Sequence, residues 1–235
     1  MDIHLHHEHI ESHLKSSDML RDIVIGMSDG LTVPFALAAG LSGAVSSSSI
    51  IVIAGIAEIC AGSIAMGLGG YLAGKTEQDH YYSEEKREYN EVETLRHKEI
   101  EETKEFFANI GLSSAVQELA TEEISRDKNR WVNFMMKYEL GLEKPDPKRA
   151  TKSALNIGIS YIAGGIIPLC PYFFIDNSVE ALKISVMATL VCLFIFGYFK
   201  SKMTGVNPLT GALKVAMIGA LAATAAFGVA KLVGG

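Results

Sequence analysis

Apolar residues run along this chain in long blocks rather than at the intervals of an amphipathic element. Five stretches, about 23–44, 50–74, 153–175, 179–199 and 208–233, are nearly free of charge. At a rise of about 1.5 Å per residue, each is long enough to cross a hydrocarbon core of roughly 30 Å. A core helix of that length in a water-soluble protein would carry a polar stripe, and these do not. In lipid every backbone N–H and C=O must be satisfied within its own segment, so a single segment crosses only as a helix. The pattern predicts five transmembrane helices.

Between the second and third stretches the pattern changes. Residues 75–150 carry 13 Lys and Arg against 18 Asp and Glu, two thirds of the chain's acids in one third of its length. Apolar residues recur there at helical spacing, as at Ile100, Phe106, Phe107 and Ile110. The run KNRWVNFMMKYELGLEKPDP reads as an amphipathic helix stopped by Pro145 and Pro147, which have no N–H to continue it. Three helices are expected in this insertion, the first continuing from the second span, with breaks near Gly111 and at RDKNR. Neither β-alternation nor an internal repeat is evident. The expected fold is an all-α polytopic membrane protein: a His-rich tail (1–18), spans one and two (19–74), an inserted three-helix domain (75–150) and spans three to five (151–235).

Basic residues set the expected orientation. Lys15, Arg21, Lys75, Lys148, Arg149, Lys152, Lys200 and Lys202 lie at helix ends on the side of the insertion. The other side offers AVSSSS without charge, IDNSVEALK with one lysine, and Lys231. Lysine and arginine concentrate on the cytosolic side of a membrane, so the N-terminus and the insertion are expected in the cytosol. The N-terminal MDIHLHHEHIESHLK lacks the apolar centre of a signal peptide, which leaves insertion to the first span.

Composition narrows the function. Hydrophobic residues make up 49% and charged residues 20%, with 22 glycines, a mixture suited to close helix packing in lipid. A net charge of −6 excludes a broad basic footprint for nucleic acid. Cys60, Cys170 and Cys192 form no CxxC pair and read as small packing residues.

The chemistry lies in acids that the spans retain. Asp29, in GMSDGLTVPFALAAGLSG, sits about one turn inside the first span, and Glu58 near the middle of the second. A carboxylate at bilayer depth costs roughly 2.5–3.5 kcal/mol and marks an ion or proton path. Asp29 is also close enough to the helix end to reach interfacial water. Met66, eight residues after Glu58, stands about 12 Å further along the helix and about 80° around it. Carboxylate oxygen combined with thioether sulfur favours a borderline transition metal over Mg²⁺ or Ca²⁺. Pro34 releases the carbonyl of Gly30 near Asp29, and the pairs Gly26/Gly30 and Gly70/Gly74 permit close helix contact. In the insertion Glu84, Glu88 and Glu91 share a helix face, as do Glu99 with Glu102 and Met135 and Met136 with Glu139. Such faces suit either a solvated helix or a convergent metal cluster. His4, His6, His7, His9 and His13 are suited to transition metals, with an unstructured tail as the simpler reading.

RDIVIGMSDGLTVPFALAAGLSG, GIAEICAGSIAMGLGGYLAGK, WVNFMMKYELGLEKPDPKRA and AAFGVAK closely resemble the vacuolar iron transporter family, over essentially residues 19–233. The resemblance implies a five-helix homodimer with its pathway at the dimer interface and a cytosolic metal-binding domain after the second helix. It implies exchange of cytosolic Fe²⁺, and often Mn²⁺, for protons. Matched by motif, Asp29, Glu58 and Met66 fall on pathway metal ligands and Tyr161 on the pathway lining. Glu88, Glu91, Glu99, Glu102, Met135 and Glu139 fall on ligands of the cytosolic domain, with Met136 beside them. No prosthetic group is implied. The ions expected are Fe²⁺ and Mn²⁺, with Zn²⁺ a further candidate in the cytosolic domain. The membrane would be vacuolar in a eukaryote and the plasma membrane in a bacterium.

Two other classes are weighed against this. A membrane-anchored ferritin-like di-iron enzyme needs paired Glu-x-x-His motifs on facing helices, and the insertion has one, Glu77 to His80, with His97 lacking such a partner. A metal-binding scaffold on a membrane anchor has no use for Glu58. The function expected is a divalent metal/proton antiporter that exports iron from the cytosol.

Overall fold

The computed structural model describes residues 18–234. The order is α1 (Asp18–Ala44), α2 (Ser48–Thr94), α3 (Arg96–Asn109), α4 (Ser114–Ser125), α5 (Lys128–Phe134), a π-helical turn (Met135–Glu139), α6 (Arg149–Leu169), a 3₁₀ turn (Cys170–Phe173), α7 (Ser178–Met203) and α8 (Pro208–Gly234). Among the described residues no strand forms; the one isolated bridge joins Ser47 to Asn177. Five helices are long and apolar enough to cross a membrane: α1, α2, α6 with its 3₁₀ turn, α7 and α8. These are the five the apolar blocks predict. The His-rich cluster His4, His6, His7, His9 and His13 lies outside the described residues.

The chain divides into two compact units. One comprises the described residues up to Gly70 together with those from Lys152, and the other is Tyr71–Thr151. In the first, α1 packs against α7 and α8, and α7 against α8. Phe35, Ala39 and Ala223 form one core, with Leu182, Val186 and Leu190 against it. Ala38, Ile51, Ile59, Leu169, Tyr172 and Ala181 form another. Large apolar side chains face outward, including Ile53, Ile64, Met187 and Leu221, each about two-thirds exposed or more. Water would not tolerate that much apolar surface, whereas lipid would.

Polar side chains resolve the awkward backbone sites. Pro171 has no N–H for the carbonyl of Pro168 three residues before it, and the Ser185 hydroxyl donates to that carbonyl instead (2.7 Å). Asn177 caps α7 by accepting from the N–H groups of Val179 and Glu180, and Asn207 does the same for α8 at Leu209 and Thr210. Gly26 and Gly30 lie directly on the carbonyls of Ile157 and Tyr161, with no room for a Cβ. This is the close helix crossing that the Gly26/Gly30 pair permits.

In the second unit Tyr81, Val92, Trp131, Val132, Met135 and Met136 form the core. Helices break at Gly111 (φ +87°), as the sequence predicts, and at Arg126–Asp127, where the Asp127 carboxylate caps α5 through the N–H of Arg130 (2.7 Å). Two features differ from the expectation of three helices. The first expected helix is interrupted at Leu95 without Gly or Pro; the turn is held by Arg96, which donates to the Ser125 carbonyl (3.2 Å) and lies over the Trp131 ring (4.9 Å). The last helix ends before the prolines, through a π-helical turn that closes at Gly141 (φ +65°).

Candidate functional site

Two sets of predicted residues need to be placed, one in each unit. In the spans, Tyr161 on α6 is buried and donates its hydroxyl to Oε1 of Glu58 on α2 (2.5 Å). The second oxygen, Oε2, is buried and has no hydrogen-bond partner among the described residues. Gly62, one turn beyond Glu58, makes room for the Tyr161 ring, since a Cβ there would overlap the hydroxyl and its ring carbon. Glu58 is also the one charged residue on the wall of a cleft of about 790 Å³ lined otherwise by Thr32, Ala36 and other small or aliphatic residues of α1 and α8. A carboxylate with one anchored and one free oxygen, opening on an apolar cleft, has the chemistry to hold a cation or a proton.

Asp29 and Met66 are half-buried, and among the described residues neither has a hydrogen-bond partner. Among the described residues Glu58 is thus joined to Tyr161, and Asp29 and Met66 are bonded to neither. An alanine at Gly62 should push Tyr161 off Glu58. The expected result is a stability loss of about 1–3 kcal/mol from overpacking, measurable by thermal unfolding of the purified variant.

In the second unit, carboxylate oxygens of Glu88, Glu99 and Glu139 lie within 4.8 Å of one another, a spacing that one metal ion would bridge. Glu88 and Glu99 are buried, at 2% and 1% exposure, and each has an oxygen with no hydrogen-bond partner. Burial, then the charges of Glu99, Glu139 and Glu91, push Glu88 up to about 7. Burial, then Glu102, Glu139 and Glu91, push Glu99 to about 7 as well. Glu139, the exposed member, is raised by desolvation first and by Glu102 next. Such crowding of buried acids is unfavourable without a cation and becomes favourable with one.

Glu91 and Glu102 stand at the rim, paired with Arg87 (3.7 Å) and Lys98 (2.8 Å). Glu84 pairs with Arg87 (2.8 Å) and is no part of the triad. Met135 and Met136 are both buried. They open the π-helical turn, whose wider ring is closed by Leu140 N–H on Met135 O (3.1 Å). Glu77 and His80 are exposed on α2 and take no part in the triad.

Sequence reasoning missed two features. Asp22, 1% exposed, accepts from Ser153 (3.0 Å). It lies four residues before Gly26, on the face that meets α6, and that spacing was the available signal. Thr103, fully buried, accepts from the Trp131 indole N–H (2.9 Å) and contacts Met135 Sδ (3.4 Å). Its spacing of four residues from Glu99 was the only hint.

Comparison with known proteins bears on the whole chain. The profile of the VIT family matches residues 20–231. The chain is 52% identical over 225 residues to Vacuolar iron transporter 1 of Arabidopsis thaliana, covering 96% of this chain and 90% of that protein. It is 51% identical to Vacuolar iron transporter 1 of Oryza sativa subsp. japonica, over 98% of this chain and 91% of that one. It is 37% identical to Protein CCC1 of Saccharomyces cerevisiae, over 92% of this chain and 69% of that one.

Proposed function

Because the chain belongs to the VIT family, we propose that it carries Fe²⁺, with Mn²⁺ as a second substrate, out of the cytosol across a vacuolar membrane in exchange for protons. It is a transporter rather than an enzyme, as its named relatives are. The observation that carries the reading is Glu58, a carboxylate in the middle of a span with one oxygen held by Tyr161 and the other buried and free. A group so placed exchanges a metal ion for a proton without any change of fold.

In this scheme the unit Tyr71–Thr151 faces the cytosol, as does the N-terminus. Its Glu88, Glu99 and Glu139 take up the ion, with Glu91 and Glu102 drawing it in and the Met135 and Met136 thioethers completing the shell; Zn²⁺ fits the same donors. Asp29 and Met66 then receive the ion, two copies of each meeting at the interface of a homodimer. That pairing supplies two carboxylates and two thioethers, a shell for a borderline divalent ion. It also accounts for donors that one chain leaves without partners.

The test is flux. Protein reconstituted in liposomes with an acidic interior should take up Fe²⁺, followed by a trapped quenchable dye, and uptake should stop when an ionophore dissipates the proton gradient. Asp29→Ala and Met66→Leu should each reduce initial uptake at least about tenfold, the loss expected for one ligand to a charged group. Uptake indifferent to both the gradient and Asp29→Ala would overturn the scheme.

A further inference from the structure

One turn along α3 from Glu99 of the carboxylate triad stands a buried hydroxyl that is itself no ligand of the proposed site. Glu99 and Thr103 stand one turn apart on α3, and Met135 and Glu139 one turn apart on the π-helical segment. The two pairs face each other as adjacent rungs: Glu99 meets Glu139 within 4.8 Å, and Thr103 Oγ1 meets Met135 Sδ at 3.4 Å. Thr103 is wholly buried, and Trp131, equally buried, donates its indole N–H to the same oxygen (2.9 Å). The hydroxyl has one proton. It points between the Glu99 carbonyl, at 2.7 Å, and the Met135 sulfur, at 3.4 Å, so the carbonyl is the stronger acceptor and the thioether the weaker one.

We propose that Thr103, fixed by Trp131 and by the Glu99 carbonyl, is a positioning residue that seats the Met135 thioether beside the carboxylates and so biases this cluster toward thiophilic divalent ions. The inference rests on the reading of the triad as a metal site. A methionine has three rotatable bonds and an adaptable shape, so burial alone does not fix where its sulfur points. The Thr103–Trp131 pair does, by closing one side of the sulfur's pocket with a polar atom at contact distance. A carboxylate triad alone is an all-oxygen site with little preference for Zn²⁺ over Mn²⁺, and a held sulfur supplies that preference.

The experiment uses the full chain in detergent, with Zn²⁺ and Mn²⁺ as probes. Affinities come from competition with a chelating dye, and the fluorescence of Trp131, the only tryptophan, gives a second readout. Thr103→Val keeps the shape and removes the hydroxyl. It should weaken Zn²⁺ binding about tenfold, as loss of a group orienting a ligand does, and leave Mn²⁺ within about twofold. Thr103→Ser should restore the wild-type ratio. Met135→Leu should show the same selective loss, and adding Thr103→Val to it should change nothing further. Equal losses for both ions in Thr103→Val, or additive losses in the double variant, would overturn the inference. Should the valine variant not fold, the serine variant and Met135→Leu still decide it: Met135→Leu leaving the Zn²⁺/Mn²⁺ ratio unchanged overturns it. Wild-type protein binding neither ion would instead overturn the underlying reading of the triad, a distinct outcome.

Discussion

Glu58→Gln is expected to reduce metal uptake into acidic liposomes by about ten- to a hundredfold while leaving the melting temperature within a degree or two of wild type. Glutamine has the size of glutamate, and its amide oxygen still accepts the Tyr161 hydroxyl that now holds Oε1. What it loses is the charge and the capacity to take up a proton. Interactions with a charged group are worth about 1.5–3 kcal/mol, which sets the range of the effect. The free oxygen Oε2 is the atom at issue, because it is buried with no partner among the described residues and the cleft it borders is otherwise apolar. Tyr161→Phe makes the complementary case. It keeps the charge and removes the donor, so it should slow uptake less than Glu58→Gln. Full proton-coupled flux in Glu58→Gln would place the exchanging group elsewhere.

The second large effect is the dependence of the carboxylate cluster on pH. Glu88 and Glu99 both sit at about 7, raised first by burial and then by neighbouring acids. A carboxyl whose folded value lies above its unfolded one favours the folded state fully below the unfolded value, near 4.5, and loses that contribution as pH rises through 7. Ion-free protein should therefore melt at a lower temperature at pH 8 than at pH 5.5. Binding a divalent ion requires the deprotonated carboxylates and removes their mutual repulsion, so the added stability from ion should grow over the same interval. With two protons displaced, affinity for Zn²⁺ at pH 5.5 should be about a hundredfold or more below that at pH 7.5. Glu99→Gln should flatten the pH profile and abolish most binding. A profile whose midpoint stays near 4.5 would show that the acids are not crowded as the structure has them.

The same titration bears on the proposed capture of the ion at the cytosolic face. Near-neutral solution is the condition under which these groups lose their protons and hold a cation. A modest fall in pH returns the protons and lets the cation go. A solvated acidic helix would show neither behaviour, because its carboxylates titrate near their ordinary values and bind divalent ions weakly.

The chain's own pattern determined the five spans and the acids within them. The free energy of burying a charge or a backbone amide in lipid is so large that block length and the position of Asp29 and Glu58 are readable without coordinates. The acidic, amphipathic character of 75–150 was equally legible, as was its break at Gly111. What the sequence left open was convergence. Glu88, Glu99 and Glu139 come from three helical segments, and only the packing of Trp131, Val132, Met135 and Met136 brings their oxygens within 4.8 Å. The break at Leu95 and the π-helical turn escaped prediction for a related reason. Neither is encoded by glycine or proline at the site, and both are held by contacts with residues distant in sequence or by the crowding of the core. Periodicity reports which face of a helix is wet and which is dry; it carries no record of which other face will be opposite. For this protein the cost of burial therefore specified where charge could not be casual, and tertiary packing alone decided which charges, sulfurs and hydroxyls became neighbours.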